Sequence, residues 1–175
     1  MGRTLVRFCS IVFVALALAP SLAHLLELPH KIRLSRDDYF TVQQIYRGWS
    51  WLGIVIILAM ASTLSLAVVS RRNRRALAWA LAAFLAVAAT QAVFWAFTFP
   101  TNRATENWTK RPDDWEQQRA RWEYSHATGA GLNLFALVAV TLAVLGPNPS
   151  KDRTFVVQSR RIPEPRDVKS LATSH

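Results

Sequence analysis

The sequence predicts an all-α integral membrane protein: an antiparallel four-helix bundle with a helical cap at its outer end. Three observations predict it. The chain is 51% hydrophobic, and the apolar residues are blocked rather than dispersed. No Asp, Glu, Lys or Arg occurs from Trp49 to Val69, from Ala76 to Asn102 or from Ala127 to Ser150. A run of about 18 or more apolar residues is long enough to cross the hydrocarbon core. The net charge of +10 is also unevenly placed. In a four-span arrangement one side carries 12 Lys and Arg against 3 acids, and the other 9 against 8.

The first element is the least secure. Arg3 and Arg7 followed by the apolar run Phe8 to Leu26 also describe a signal peptide, with Ser21-Leu22-Ala23 as a small-residue cleavage site. The apolar pattern continues through Leu25, Leu26 and Leu28, and Pro20 is tolerable as a kink inside a membrane helix. The reading is a retained span at about residues 5–28. At its outer end stand His24, Glu27, Pro29 and His30. Ionisable groups there are costly unless partnered, which makes His24 and Glu27 candidates for function. Imidazole and carboxylate also suit transition metals. Pro29, however, is expected to end the helix before His30. A structural ion-pair or hydrogen-bond network is preferred, and no metal and no cofactor are assigned.

In the first outer loop, Ser35-Arg-Asp-Asp38 reads as a capping box with Asp at the place of the usual Glu. A short helix is expected to start there and run into span two, with Tyr39, Gln43, Tyr46, Ser50 and Gly53 on one face. Trp49 and Trp51 read as interfacial anchors. Span two covers residues 49–69, and its Ser62, Thr63 and Ser65 can bond their own helix backbone. The connector Ser70 to Arg75 allows only a tight antiparallel turn.

Span three, residues 76–99, is alanine-rich, which lets membrane helices approach closely. Gln91, Trp95, Thr98 and Asn102 share a face at helical spacing. Span four, residues 124–145, carries His126 and Asn133 on one face. Ser125/Gly129 and Ala127/Gly131 are small-residue pairs suited to packing. Gly146-Pro147-Asn148-Pro149 ends it. Residues 1–148 thus form the transmembrane domain. Residues 149–175 form a basic, proline-punctuated tail expected to be disordered and cytoplasmic.

The most informative stretch joins spans three and four. Trp108, Trp115 and Trp122 recur every seven residues. On one helix, Trp115, Arg119, Trp122, His126, Gly129 and Asn133 fall within about 40° of a common line. A helix is expected from Pro112 to Glu123, leading into span four, because Pro suits a first turn and Asp113, Asp114 and Glu116 suit its positive end. Polar positions from all four spans therefore gather at the outer ends. The candidate cluster is His24, Glu27, Tyr46, Gln91, Trp95, Asn102, Asn107, Trp115, Arg119, Trp122, His126 and Asn133.

Several classes are excluded or disfavoured. A single cysteine rules out an internal disulfide, a CxxC redox pair and a Cys-rich zinc site. No phosphate-binding glycine loop, HExxH or GxSxG pattern occurs. The basic charge flanks the spans, so its partner is the lipid bilayer and not nucleic acid. The positive-inside rule puts both termini and the Arg71–Arg75 turn in the cytoplasm, as in a bacterial inner-membrane protein. The oligomeric state is left open.

The segments HLLELPHKI, YFTVQQIYRGW, FPTNRATENWT and WEYSHA resemble those of the anthrone-oxygenase-like family, small bacterial four-span membrane proteins grouped under a domain of unknown function. The resemblance covers roughly Leu5 to Leu145, and its most specific strings are Asn102-x-x-Thr-x-Asn107-Trp108 and Trp122-Glu-Tyr-Ser-His126. Distant fungal relatives imply oxidation of polyketide anthrones without metal or flavin. A base removes an acidic proton and the carbanion meets dioxygen. That resemblance would make His126 or His24 the base and Asn102 or Asn107 the enolate stabiliser. Two functions follow. One is a non-catalytic accessory or small-lipophilic-ligand-binding protein, which expects a closed, fully hydrogen-bonded cluster. The other is a cofactor-independent oxygenase, which expects an open cavity with an accessible histidine.

Overall fold

The computed structural model describes residues 2–146. The predicted tail, and the prolines after Gly146, lie outside the described residues. Within them the fold is all-α. Four helical stretches are long and apolar enough to cross a membrane: Gly2–Lys31, Trp49–Ser70, Arg74–Ala104 and Trp115–Leu145.

Helix α1 (Gly2–Lys31) is followed by the short α2 (Arg36–Gln43), then α3 (Gly53–Ser70), α4 (Arg74–Val93), α5 (Phe99–Ala104) and α6 (Trp115–Leu145). Neighbours around the bundle run α1, α3, α4, α6 and back to α1, so each long helix lies antiparallel to both its neighbours. One end holds the arginines of the α3–α4 turn. The other holds α2, the 105–114 loop and the start of α6. We call these the arginine end and the cap end.

The core explains the close packing. Its buried residues are mostly alanines, including Ala17, Ala59, Ala80, Ala83, Ala136 and Ala139, with Val14, Leu66, Val87 and Val140 filling between them. Helices that meet in lipid gain little from excluding water, so small side chains that allow close backbone approach carry the association. On α6 this role falls to Ala130, Ala136, Ala139 and Ala143. The expected glycine pairs do not contribute in this way, because a Cβ added at Gly129 or Gly131 would meet nothing within 4 Å. As expected, the hydroxyls of Ser62, Thr63 and Ser65 bond carbonyls of their own helix.

Three local features depart from the expected boundaries. First, α1 does not stop at Pro29 but continues to Lys31 with both Pro20 and Pro29 inside it. A proline so near the C-terminus forfeits one hydrogen bond, and the last turn still closes. Second, α2 does not run into span two. It is capped as expected, Ser35 Oγ accepting from Asp38 N–H. It then ends at Gln43 and gives way to 3₁₀ turns at Gln44–Tyr46 and Trp49–Leu52. Between them Gly48 sits at φ 91°, a left-handed conformation that glycine adopts without penalty. The stripe Tyr39–Gln43–Tyr46–Ser50–Gly53 is broken there.

Third, α4 passes into α5 through a π turn at Phe94–Thr98, closed by Phe99 N–H donating to Phe94 O. Pro100 follows at the start of α5. It cannot donate to the preceding turn, and a wide turn is one way a helix absorbs that. The extra residue delays the helical phase. Buried Val87 and Thr90 are followed by buried Thr98 and Thr101, whereas Phe97 is 48% exposed.

Candidate functional site

The longer α1 brings Lys31 one turn beyond Glu27 on the same face, and Glu27 one turn beyond His24. Helix α6 meets this face with Glu123, next to Trp122. Lys31 and Glu123 are both buried, and Lys31 Nζ lies 2.9 Å from Glu123 Oε1. Tyr39 on α2 donates its hydroxyl to the same oxygen at 2.9 Å and accepts from Gln43 Nε2. Lys31 Nζ also donates to Tyr46 Oη at 3.2 Å, and the Tyr46 hydroxyl donates to Glu27 Oε2. One lysine thus stands between two carboxylates and two phenols. An uncompensated charge would be expensive there, and the pairing is what makes burial tolerable.

Both phenols are held protonated. Burial pushes Tyr39 well above the usual phenol range, and the charge and hydrogen bond of Glu123 push it further. Burial, then the hydrogen bond and charge of Glu27, raise Tyr46 in the same way. Each therefore remains a donor to its carboxylate across the physiological range.

The histidines lie beside this network. The ring of His24, itself 4% exposed, is enclosed by Tyr46 at 4.5 Å, Trp122 at 4.9 Å, His126 at 4.4 Å and Trp49 at 5.6 Å between centroids. Its Nδ1 is 3.8 Å from Glu27 Oε2 and makes no hydrogen bond among the described residues. His126 is partly exposed, and its Nδ1 lies 2.9 Å from Trp122 O. A carbonyl can only accept, so Nδ1 carries the proton and Nε2 is left as the basic nitrogen. His30 points to solvent, and no group of three metal-ligating side chains forms among the described residues.

The three regularly spaced tryptophans meet, but not along one helix. Helix α6 starts at Trp115, three residues later than Pro112, and then runs unbroken into the fourth span. Trp115 is half-buried, with the Arg119 guanidinium 4.5 Å above its ring. Arg119 donates to Leu34 O at 2.8 Å. Trp122 is buried and donates from Nε1 to Asn102 Oδ1 at 2.9 Å. Trp108 reaches the same cluster from the loop, its ring 5.1 Å from Tyr39 and 6.0 Å from Trp122.

Trp108 gets there through an unusual backbone. Glu106, Asn107 and Trp108 have φ of 48°, 55° and 65°, three consecutive left-handed residues without a glycine. Each such position costs on the order of 1–3 kcal/mol. The turn is held by Asn107 N–H to Asn102 O at 2.7 Å, by Trp108 N–H to Thr105 Oγ1 at 3.2 Å, and by Gln44 Nε2 to Trp108 O at 2.9 Å. Burial of the indole against Tyr39, Phe40 and Trp122 opposes the strain.

The remaining candidates divide. Asn133 lies deeper, where its Nδ2 donates to Ser21 Oγ at 3.0 Å and ties α6 to α1. Thr98 and Ser125 hydroxyls bond at 2.7 Å and tie the π turn to α6. Gln91 bonds only its neighbour Thr90 among the described residues. Trp95 is 59% exposed, because the delayed helical phase turns it away from Trp122. Trp95 instead joins Asn102 and Asn107 in an open cleft of about 460 Å³ beside the network. Phe94 and Phe99 supply further apolar lining, and Ser50, Arg103 and Glu106 supply polar lining. That volume falls within the range of about 300–1,000 Å³ usual for small-ligand sites.

The candidate cluster thus divides into two adjoining features. A half-buried network holds His24, Glu27, Tyr46, Trp122 and His126, and an open cleft holds Trp95, Asn102 and Asn107. The Trp122–Asn102 hydrogen bond joins them. The binding reading expects a closed, fully hydrogen-bonded cluster. Here His24 and Trp122 are buried, Glu27, Tyr46 and His126 are partly exposed, and His24 Nδ1 and Glu123 Oε2 have no hydrogen-bond partner among the described residues. Sequence reasoning missed Lys31 and Glu123 as site residues. No known family, curated protein or solved structure matches the chain.

Proposed function

We propose that this is a non-catalytic multi-pass membrane protein of the bacterial inner membrane, an accessory or ligand-binding protein that takes a small lipophilic molecule in the cleft of Trp95, Asn102 and Asn107. The observation that carries it is the enclosure of His24. Aromatic and imidazole rings surround it, whereas the open cleft beside the network has no histidine in its lining. Rings of Trp95 and Phe99 suit an apolar face, and the two asparagine amides suit a carbonyl or hydroxyl. The Lys31–Glu123 network fixes the helix ends against which the cleft is built.

The second reading is a cofactor-independent oxygenase of the anthrone type, within the family whose segments the chain resembles. It is favoured by His126, whose Nε2 is left basic and whose ring stands against Trp122, the partner of Asn102. Anthrone itself separates the two. Purified protein in detergent is expected to show saturable quenching of tryptophan fluorescence by anthrone, weakened about tenfold or more in Trp95→Ala. Oxygen uptake is expected to stay at the uncatalysed rate. Uptake that depends on the protein and disappears in His126→Ala would replace the binding reading with the oxygenase.

The orientation follows from the charge bias, with both termini and the arginine end cytoplasmic. In a Cys9→Ser background, a cysteine at position 73 is expected to resist impermeant thiol reagents in intact cells, and one at position 113 to react. The reverse pattern would invert the protein and place the cleft on the cytoplasmic side.

A further inference from the structure

At the arginine end the bundle gathers charges that the sequence keeps apart. Ser10 on α1 donates its hydroxyl to Ser62 O on α3 at 2.9 Å, which fixes how those two helices sit against each other. Beyond that contact, Arg3 from the start of α1 meets Arg71 and Arg72, just past the end of α3. They surround a cleft of about 250 Å³ that Val68 and Val69 complete.

All three arginines are exposed, and none forms an ion pair with a carboxylate among the described residues. The acids of the described residues fall between Glu27 and Asp38 or between Glu106 and Glu123, all toward the cap end. Three like charges around one small space repel, so the cleft is complementary to an anion. Guanidinium groups match phosphate oxygens in charge and in paired geometry. The apolar part of the lining narrows the choice. Val69 packs against the core, while Val68 is 55% exposed on the side of the bundle, where a membrane would place acyl chains.

We propose that this cleft is a binding site for the phosphate headgroup of an anionic phospholipid, with the three guanidinium groups on the phosphate and an acyl chain along Val68. The proposal is independent of what occupies the cap-end cleft and rests only on the helices crossing a membrane. It differs from a diffuse basic surface because Arg7, Arg74 and Arg75 lie at the same end but outside the cleft.

Full-length protein in a neutral detergent is titrated with dioleoyl-phosphatidylglycerol, dioleoyl-phosphatidylcholine or inorganic phosphate, and binding is counted by native mass spectrometry. Phosphatidylglycerol is expected to bind at least about tenfold more tightly than phosphatidylcholine. The triple variant R3Q/R71Q/R72Q is expected to lose that preference, and R7Q/R74Q/R75Q, with the same change in charge, to keep it. In wild-type protein, bound phosphatidylglycerol is expected to protect Arg3, Arg71 and Arg72 from an arginine-directed dicarbonyl reagent, a measurement that needs no variant. Equal loss in the two triple variants would reduce the site to a diffuse field. Displacement of the lipid by millimolar inorganic phosphate would make it a free-anion site. No preference over phosphatidylcholine, or no protection of the three arginines, would overturn it.

Discussion

Replacing Lys31 by methionine is expected to cost about 3–5 kcal/mol of stability, the usual penalty for removing one partner of a buried ion pair. The size follows from where the charges stand. The Lys31 side chain is 5% exposed and that of Glu123 is 0%, so the orphaned carboxylate cannot recover its hydration. Glu27 and Glu123 would also face each other without the cation between them. Glu123→Gln is expected to cost less, about 1–3 kcal/mol. Lys31 would keep Glu27 at 3.8 Å and the Tyr46 hydroxyl, and the oxygen of the introduced amide could still accept from Tyr39. The double variant is expected to be more stable than Lys31→Met alone. Denaturation in mixed detergent micelles, followed by circular dichroism, measures all three. Additive losses to within about 0.5 kcal/mol would show that the two residues do not act as a pair.

Trp122→Ala is expected to destabilise by about 3–5 kcal/mol, as for other buried large aromatics. Its ring touches His24, His126, Tyr46 and Trp108, and its Nε1–H bonds Asn102. Truncation removes the packing and also leaves a donorless Asn102 at the edge of the cleft. Trp115→Ala is expected to lose clearly less, because that ring is only half-buried and packs beside Arg119 at the cap surface. His126→Ala is expected to cost roughly 1 kcal/mol. The same unfolding measurement ranks them. Equal and negligible losses from the two tryptophans would mean that neither anchors the cap.

The bundle was legible because helices long and apolar enough to cross a membrane are written in composition. An uncharged run of sufficient length has few other folded uses, and four such runs with tight connectors leave an antiparallel bundle. His24 and His126 were legible because each is an ionisable group inside an apolar span, and Trp122 because it shares a helical face with His126. Lys31 and Glu123 were hidden by two local readings. Pro29 looked like a helix end, which removed Lys31 from the face of Glu27. Glu123 looked only like the last residue of a cap helix leading into span four. The spacing from Glu27 to Lys31, and the position of Glu123 directly after Trp122, were the available signals. Trp95 went astray because one residue added at the π turn rotates everything before it relative to everything after. That shift depends on backbone geometry around Pro100, and periodicity counted from sequence assumes an even turn. Trp108 stood out for its seven-residue spacing alone, and it joins the cluster through a left-handed loop that spacing does not foretell.

The ion pair between α1 and α6 also has a consequence for biogenesis. The chain emerges from the ribosome in order, so the helix bearing Lys31 is made first and the helix bearing Glu123 last. Until α6 arrives, Lys31 has Glu27 and the Tyr46 hydroxyl at hand but not Glu123, and the Tyr39 hydroxyl lacks its carboxylate acceptor. A chain truncated before α6 therefore lacks the buried carboxylate that both Lys31 and Tyr39 meet in the finished bundle. Arrival of α6 supplies the same oxygen, Glu123 Oε1, to both. The pair thus makes the first and last long helices of the chain depend on each other for the matching of their buried polar groups.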